Sequence, residues 1–290
     1  MINRLKQRIP ELLISLPTMA WLTALFVIPT AIIIIIAFKT GDPYGGIGKE
    51  WTLENFPELL NPVYRAIIVR TVVLSILTTV ICLMLGVPAG YCLARSEKRT
   101  RDMLLLLIIV PFWINFLIRI FAWKVVLHPE GFVKNFLLLI GIADENTLLL
   151  YRPGTVLLVM VYTYIPFAVL PIYAAAERFD FSLLDAAQDL GAGWFSSFTR
   201  VFLPGIRQGI VTAILVVFIP ALGSYVIPDI VGGPGGEMIG NKIAQKTFID
   251  RNLPQASVLS SMLIFAVMAP MMLSLFMRRK KNHERGMMIG

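Results

Sequence analysis

The sequence predicts an all-α integral membrane protein with six transmembrane helices in a single membrane domain, 1–290. Apolar residues make up 57% of the 290 residues and charged residues 15%, and the mean hydropathy is +0.76. These values lie outside the averages of soluble proteins. The apolar residues are also grouped into runs long enough to cross a bilayer, which takes about 20 helical residues.

Six apolar runs define the predicted spans. They cover 15–38, 66–93, 103–127, 155–176, 209–228 and 255–277. The first run follows Arg4, Lys6 and Arg8, as the core of a secretion signal would. Its apolar part is longer than a signal core and lacks a clear small-residue cleavage site, so we interpret it as a retained helix.

Basic residues cluster on alternate connections between the spans, and cytoplasmic connections carry the excess of Lys and Arg. The clusters are Arg4, Lys6 and Arg8; Arg95, Lys98, Arg99 and Arg101; Arg178, Arg200 and Arg207; and Arg278, Arg279, Lys280, Lys281 and Arg285. This bias places both termini and the loop 177–208 in the cytoplasm. It also explains the net charge of +8 as a topology signal near anionic lipid, so no nucleic-acid partner is predicted.

Three shorter features lie between or within the spans. The stretch from Thr52 to Leu60 has the pattern of an amphipathic helix with Thr52 as its cap. Residues 132–142 are apolar but too few to span, which indicates an interfacial or a re-entrant helix. Gly86 and Gly90 form a small-xxx-small pair, which favours close packing within the chain or against a partner subunit.

A polar helical segment, Ser182 to Pro204, is placed between two apolar spans. Ser182 is the predicted cap of a helix, with Asp185 reaching back to the cap nitrogen. Gly191 is the residue that can end this helix in a left-handed conformation. A segment of this kind is most simply a docking element for a soluble partner.

Motifs for enzymatic chemistry are not found in the sequence. The stretch 45–50 lacks the first glycine and the Ser or Thr of a phosphate-binding loop, and His128 and His283 are too few for a metal site. The charged residues in the spans are Arg70, Arg119, Lys124 and Asp229. Arg70 and Lys124 lie near enough to the helix ends to extend their charges to the membrane surface, whereas Arg119 is deeper in its span. Asn115 and Arg119 are predicted to share one helical face, where they either line a polar path or tie two helices together.

Four motifs carry a resemblance to a known family over essentially the whole chain. DAAQDLG (185–191) followed by Leu203 and Pro204 resembles the EAA loop of ABC importer permeases, the cytoplasmic coupling helix that contacts the ATPase subunit. PFWINFLIR (111–119), IPFAVLPIYAAAERFD (165–180) and GGPGGEMIGNKI (232–243) resemble the permease subunits of spermidine and putrescine importers. The loop departs from the family in one respect, because Asp185 stands where Glu is usual.

The resemblance implies the architecture of a type I ABC importer permease in the bacterial cytoplasmic (inner) membrane. Its implied partners are a second homologous permease, two ATPase subunits that bind ATP and Mg, and an external substrate-binding protein. The implied coupling residues are Asp185, Ala186, Ala187, Asp189 and Gly191. The candidate path residues are Asn115, Arg119, Tyr162, Tyr164, Tyr225 and Asp229.

The resemblance leaves the substrate open among polyamines, opines, other small amines and ferric ion. A polycation path would ordinarily show carboxylates, yet the candidate path residues include Asp229 alone against Arg119. Either the partner permease supplies acids or the substrate is not a simple polycation. A secondary transporter would need two related halves, and no convincing internal repeat is visible. A channel would leave the amphipathic loop unexplained.

Overall fold

The computed structural model describes residues 15–42, 44–141, 144 and 146–268. In chain order its main helices are α1 (Ser15–Ala37), α2 (Pro62–Arg95), α3 (Lys98–Ile109), α4 (Phe116–Val126), α5 (Phe132–Leu139), α6 (Pro153–Ala176), α7 (Ser182–Asp189), α8 (Trp194–Gly205), α9 (Arg207–Leu222), α10 (Ile239–Ala244) and α11 (Leu253–Met268). The basic clusters at 4–8 and 278–285 lie outside the described residues. The chain divides into two compact units, Met1–Tyr64 with Lys242–Gly290, and Arg65–Asn241.

The first unit combines α1 and α11 with a small antiparallel hairpin, β1 (Lys39–Gly41) and β2 (Ile47–Trp51). The amphipathic helix predicted from Thr52 to Leu60 is wrong. Thr52 Oγ1 instead accepts a hydrogen bond from the Glu54 N–H (3.1 Å) in a turn, and a short 3₁₀ helix, Pro57–Leu60, follows. Pro57 lacks an N–H and favours the first turn of a helix, so no α-helix continues through it.

The second unit is built on α2, α6 and α9. A Cβ atom at Gly90 would lie 2.7 Å from Ile172 Cγ2, and one at Gly209 would lie 2.5 Å from Ala175 Cβ. The small residues of α2 and α9 therefore let both helices approach α6 closely. Because lipid tails are as apolar as the side chains, such close packing is a main source of helix association in a membrane. The small-xxx-small pair thus packs within this chain.

The third predicted span, 103–127, is not one helix. α3 passes into a 3₁₀ turn, Val110–Trp113, and α4 leaves it at an angle of 92°. Ile114 and Asn115 between them have extended backbone (ψ 136° and 137°). We call this segment, Val110–Asn115, the break. Pro111 contributes to it, since proline removes a backbone donor from the helical ladder.

The fifth predicted span, 209–228, is shorter than expected. α9 ends at Leu222, Gly223 follows with non-helical backbone, and a π-helical turn, Pro228–Gly232, comes after it. α9 is also bent by 71° from α8. Within the described residues, α1, α2 and α6 are each long enough to cross a membrane, and each bent pair adds one more span if it is counted as one.

Candidate functional site

The first turn of α7 is capped by Asp180, which was not the residue predicted from the sequence. Asp180 Oδ1 accepts a hydrogen bond from the Ser182 N–H (3.0 Å), whereas Phe181 makes no side-chain cap. The predicted capping pair of Ser182 and Asp185 is therefore wrong, because Ser182 is already the first helical residue. Hydrogen bonds from the side chain and backbone of Ser182 hold the pKa of the Asp180 carboxyl below its ordinary value.

The end of α7 has the predicted left-handed residue. Gly191 has φ of +88°, and its N–H donates to the Gln188 carbonyl (2.8 Å). The Ala192 N–H donates to the Ala187 carbonyl (3.0 Å). These two bonds form a Schellman motif, which satisfies carbonyls that the helix end would leave unpaired. α7 thus has its first and last turns closed by its own flanking residues.

α7 has one buried and one exposed face. Leu184 is 4% exposed and belongs to the core, while Leu183 and Leu190 are 51% and 89% exposed. Leu183, Ala186 and Leu190 follow the spacing of one helical face. Asp185 and Asp189 are also exposed, one turn apart. The helix therefore presents an apolar strip beside two carboxylates, a surface suited to a partner protein.

Beneath α7 lies a cluster of rings that we call the aromatic base: Tyr91, Phe179, Phe181, Phe198 and Phe202. The Tyr91 ring meets Phe202 and Phe198 edge-on, with centroids 5.1 and 5.5 Å apart. Such ring pairs add about 0.5–1.5 kcal/mol each beyond the burial of their area. The aromatic base joins the end of α2 to the segments on both sides of α7.

A second contact holds the junction between α6 and α7. The Tyr173 hydroxyl donates to Glu177 Oε1 (2.6 Å), and Arg101 Nη1 lies 3.3 Å from the same oxygen. Sequence reasoning missed this contact and the aromatic base, because their members come from separate helices. The only local signal was the repeated Phe at 179, 181, 198 and 202.

Two of the predicted path residues lie at the break and in the first turn of α4, Asn115 and Arg119. Asn115 Oδ1 accepts a hydrogen bond from the Leu117 N–H (2.9 Å), so Asn115 caps α4 and does not lie within a helix that also holds Arg119. The prediction of one shared helical face is corrected accordingly. The Arg119 guanidinium carbon lies 4.8 Å from the Phe112 ring centroid, a cation–π contact of about 0.5–2 kcal/mol.

The remaining path residues make contacts with different elements. Tyr162 packs edge-on against Trp123 of α4, with centroids 5.2 Å apart, and the Tyr164 hydroxyl donates to the Pro220 carbonyl (3.2 Å). Tyr225 and Asp229 are both exposed, and Asn241 joins them. Its Nδ2 donates to the Tyr225 carbonyl (2.9 Å) and reaches Asp229 Oδ1 (3.5 Å).

The glycine-rich segment around Asn241 folds back on α2. Arg70 Nη1 donates to the carbonyls of Pro234 (3.4 Å) and Glu237 (3.3 Å), and Thr71 Oγ1 accepts from the Ile239 N–H (2.9 Å). Arg70 therefore has a structural role here. In the part of the chain that the structure describes, no group of three or more metal-ligating side chains is found.

Comparisons with known proteins give one consistent family. The model of the binding-protein-dependent transport system inner membrane component matches residues 83–280. The chain is 35% identical over 253 residues to the spermidine/putrescine transport system permease protein PotB of Salmonella typhimurium, covering 87% of this chain and 88% of the relative. It is also 35% identical over 241 residues to PotB of Haemophilus influenzae, covering 83% and 84% of the two chains.

A solved structure has the same fold. A chain of a bacterial alginate ABC transporter, in complex with an alginate pentasaccharide-bound periplasmic protein, matches with a TM-score of 0.71 at 19% identity. The match covers 96% of both chains. At this identity the likeness concerns the fold alone.

Proposed function

This chain belongs to the family of binding-protein-dependent transport system inner membrane components, and from that premise we propose that it forms half of the translocation path of an ATP-driven importer for spermidine and putrescine. The choice of spermidine and putrescine as substrates is inferred from the 35% identity, over 87% of the chain, to spermidine/putrescine permeases. The role is that of a transport subunit, whereas ATP and Mg are bound by a separate ATPase.

The geometry of α7 supports the coupling role. Both of its ends are closed by local hydrogen bonds, and its buried Leu184 rests on the core beside the aromatic base. A short helix held in this way transmits a push as a rigid body. Asp185, Ala186 and Asp189 are exposed, while Ala187 and Gly191 complete the helix and its end. In this proposal the exposed residues contact the partner ATPase.

The other proposed partners follow from the separation of transport, ATP hydrolysis and substrate delivery among different subunits. A second homologous permease completes the path, two ATPase subunits bind the coupling helices, and a periplasmic or extracellular binding protein delivers the substrate. This arrangement requires both termini and the loop 177–208 on the cytoplasmic side of the bacterial inner membrane. The distribution of Lys and Arg supports that orientation.

The test is substrate-stimulated ATP hydrolysis and uptake by the full complex in proteoliposomes. Spermidine, putrescine, an opine and ferric ion are supplied in parallel, each with the binding protein of the same system. Stimulation by the polyamines alone is the expected result. Stimulation by the opine or by ferric ion would keep the importer and change its substrate, while failure to assemble with any ATPase would overturn the proposal.

A further inference from the structure

Next to the break, the first turn of α4 holds a cation, Arg119, without a counter-charge among the described residues. Arg119 is 9% exposed, and its buried Nε has no hydrogen-bond partner among the described residues. No carboxylate of residues 15–42, 44–141, 144 and 146–268 forms an ion pair with it. Its contacts are the faces of Phe112 and Phe116. Cation–π contacts offset only part of the cost of dehydrating a guanidinium.

The position of the guanidinium shows where an anion would bind. Its carbon lies 4.8 and 5.9 Å from the Phe112 and Phe116 ring centroids, so the side chain runs back toward the first turn of α4. α4 is an 11-residue helix that starts at the break, and its N-terminus carries a partial positive charge. The guanidinium and the helix N-terminus therefore both favour a negative charge at the same place.

The depth of the break narrows the choice of anion. In the predicted span 103–127 the break begins seven residues after Met103, which corresponds to about 10 Å along α3. We infer from this that the break lies within a hydrocarbon core of about 30 Å. A planar guanidinium pairs best with a planar carboxylate, which accepts two parallel hydrogen bonds.

We propose that a carboxylate site lies where the break meets α4, formed by Arg119 and the first turn of α4, and that an Asp or Glu side chain of the second permease occupies it. This inference rests on the proposed function. The scarcity of acids in this chain's own path residues requires the partner to supply the charge that attracts a polycation. Arg119 neutralises that acid in the empty transporter, and an entering polyamine replaces Arg119 as its counter-ion.

The experiment compares three variants of this chain in the complete complex. Arg119→Met keeps the volume and removes the charge, Arg119→Lys keeps the charge, and Lys124→Met is the control, with the same chemical change in the same helix. The readouts are spermidine uptake and the melting midpoint of the substrate-free complex. Arg119→Met is expected to lower uptake at least about tenfold and to lower the midpoint. Lys124→Met is expected to stay within about twofold of wild type.

The source of the carboxylate is identified in a second step. Each membrane-embedded acid of the second permease is replaced by its amide in the Arg119→Met background. One acid is expected to show coupling, such that the double variant melts above the single Arg119→Met variant. If none does, and 50–200 mM acetate raises the midpoint of wild type but not of Arg119→Met, the site binds a free carboxylate instead (concentrations of roughly this order saturate weak sites).

The result that overturns the site is clear-cut. If Arg119→Met matches Lys124→Met in uptake and in melting midpoint, Arg119 is only a packing residue. The melting measurement needs no substrate, so it tests the site even if wild type does not transport polyamines. If wild type transports polyamines and the Arg119 variants do so equally well, the carboxylate site is rejected and the proposed function is retained.

Discussion

The coupling helix α7 and the break between α3 and α4 differ in where their polar groups find partners. At α7, Asp180 caps the first turn and the Gly191 and Ala192 N–H groups close the last one. At the break, Asn115 caps α4 locally, but the Nε of the neighbouring Arg119 side chain has no hydrogen-bond partner among the described residues. An element completed by its own chain can move as a lever, while an incomplete one needs a second chain. Four substitutions test this difference between α7 and the break.

The largest effect is expected from Phe202→Ala in the aromatic base. Phe202 is fully buried, and removing such a ring costs about 3–5 kcal/mol through lost packing and the cavity left behind. We expect the variant to lose most of the co-purified ATPase. Phe195→Ala is the control, since Phe195 is 73% exposed. Equal ATPase retention by the two variants would show that the aromatic base does not support α7.

Gly191→Val is expected to have the next largest effect. A β-branched residue at φ of +88° is expected to cost roughly 1–2 kcal/mol of stability. The same substitution strains the Schellman motif that ends α7. ATPase binding should weaken about tenfold while the chain inserts in the membrane normally. Gly193→Val is the matched control, because Gly193 has φ of −64° and open space at its Cβ position. Normal co-purification of the ATPase with Gly191→Val would contradict the prediction.

Asn115→Ala tests the locally completed part of the break. Loss of an N-cap side chain costs about 1 kcal/mol, so the melting midpoint of the complex should fall slightly. Asn115→Thr keeps an oxygen that can accept the Leu117 N–H and should restore most of the loss. An Ala variant as stable as wild type would mean that the cap does not hold the break.

The smallest effect is expected from Glu177→Gln. Its carboxylate joins Tyr173 and Arg101, but the side chain is partly exposed, and such ion pairs contribute about 0–1 kcal/mol. The ratio of uptake to ATP hydrolysis should change by less than about threefold. Glu97→Gln, which removes another exposed carboxylate, serves as the reference. If Glu177→Gln alone abolished the coupling of uptake to ATP hydrolysis, Glu177 would be the point about which α7 moves, which would contradict the prediction.

The contrast also explains what the sequence could predict. The left-handed conformation of Gly191 follows from local backbone preference, and the family follows from motifs that lie along the chain. Hydropathy grouped 103–127 into one predicted span and missed the break, because averaging over a window cannot register two extended residues, Ile114 and Asn115. The sequence predicted Ser182 as the cap of α7, whereas the structure has Asp180, because the start of a helix is predicted only to within a residue or two.

Other features depend on residues far apart in the chain. The aromatic base, the Glu177 contact and the role of Asn241 each join separate elements, so no local pattern shows which residues meet. Tyr162 contacts Trp123, Tyr164 contacts Pro220, and Asp229 contacts Asn241, which spacing alone did not reveal. Long-range packing of this kind becomes visible only in three dimensions.

The close approach of α2 and α9 to α6 has a consequence for the evolution of this chain. At Gly90 and Gly209 the neighbouring atoms already stand where a side chain would begin, and at Gly209 one of them is the Pro171 carbonyl oxygen. Backbone cannot move aside as a flexible side chain does. Sequence drift should therefore be nearly frozen along these two contact lines, and free on the faces of the same helices that meet only lipid.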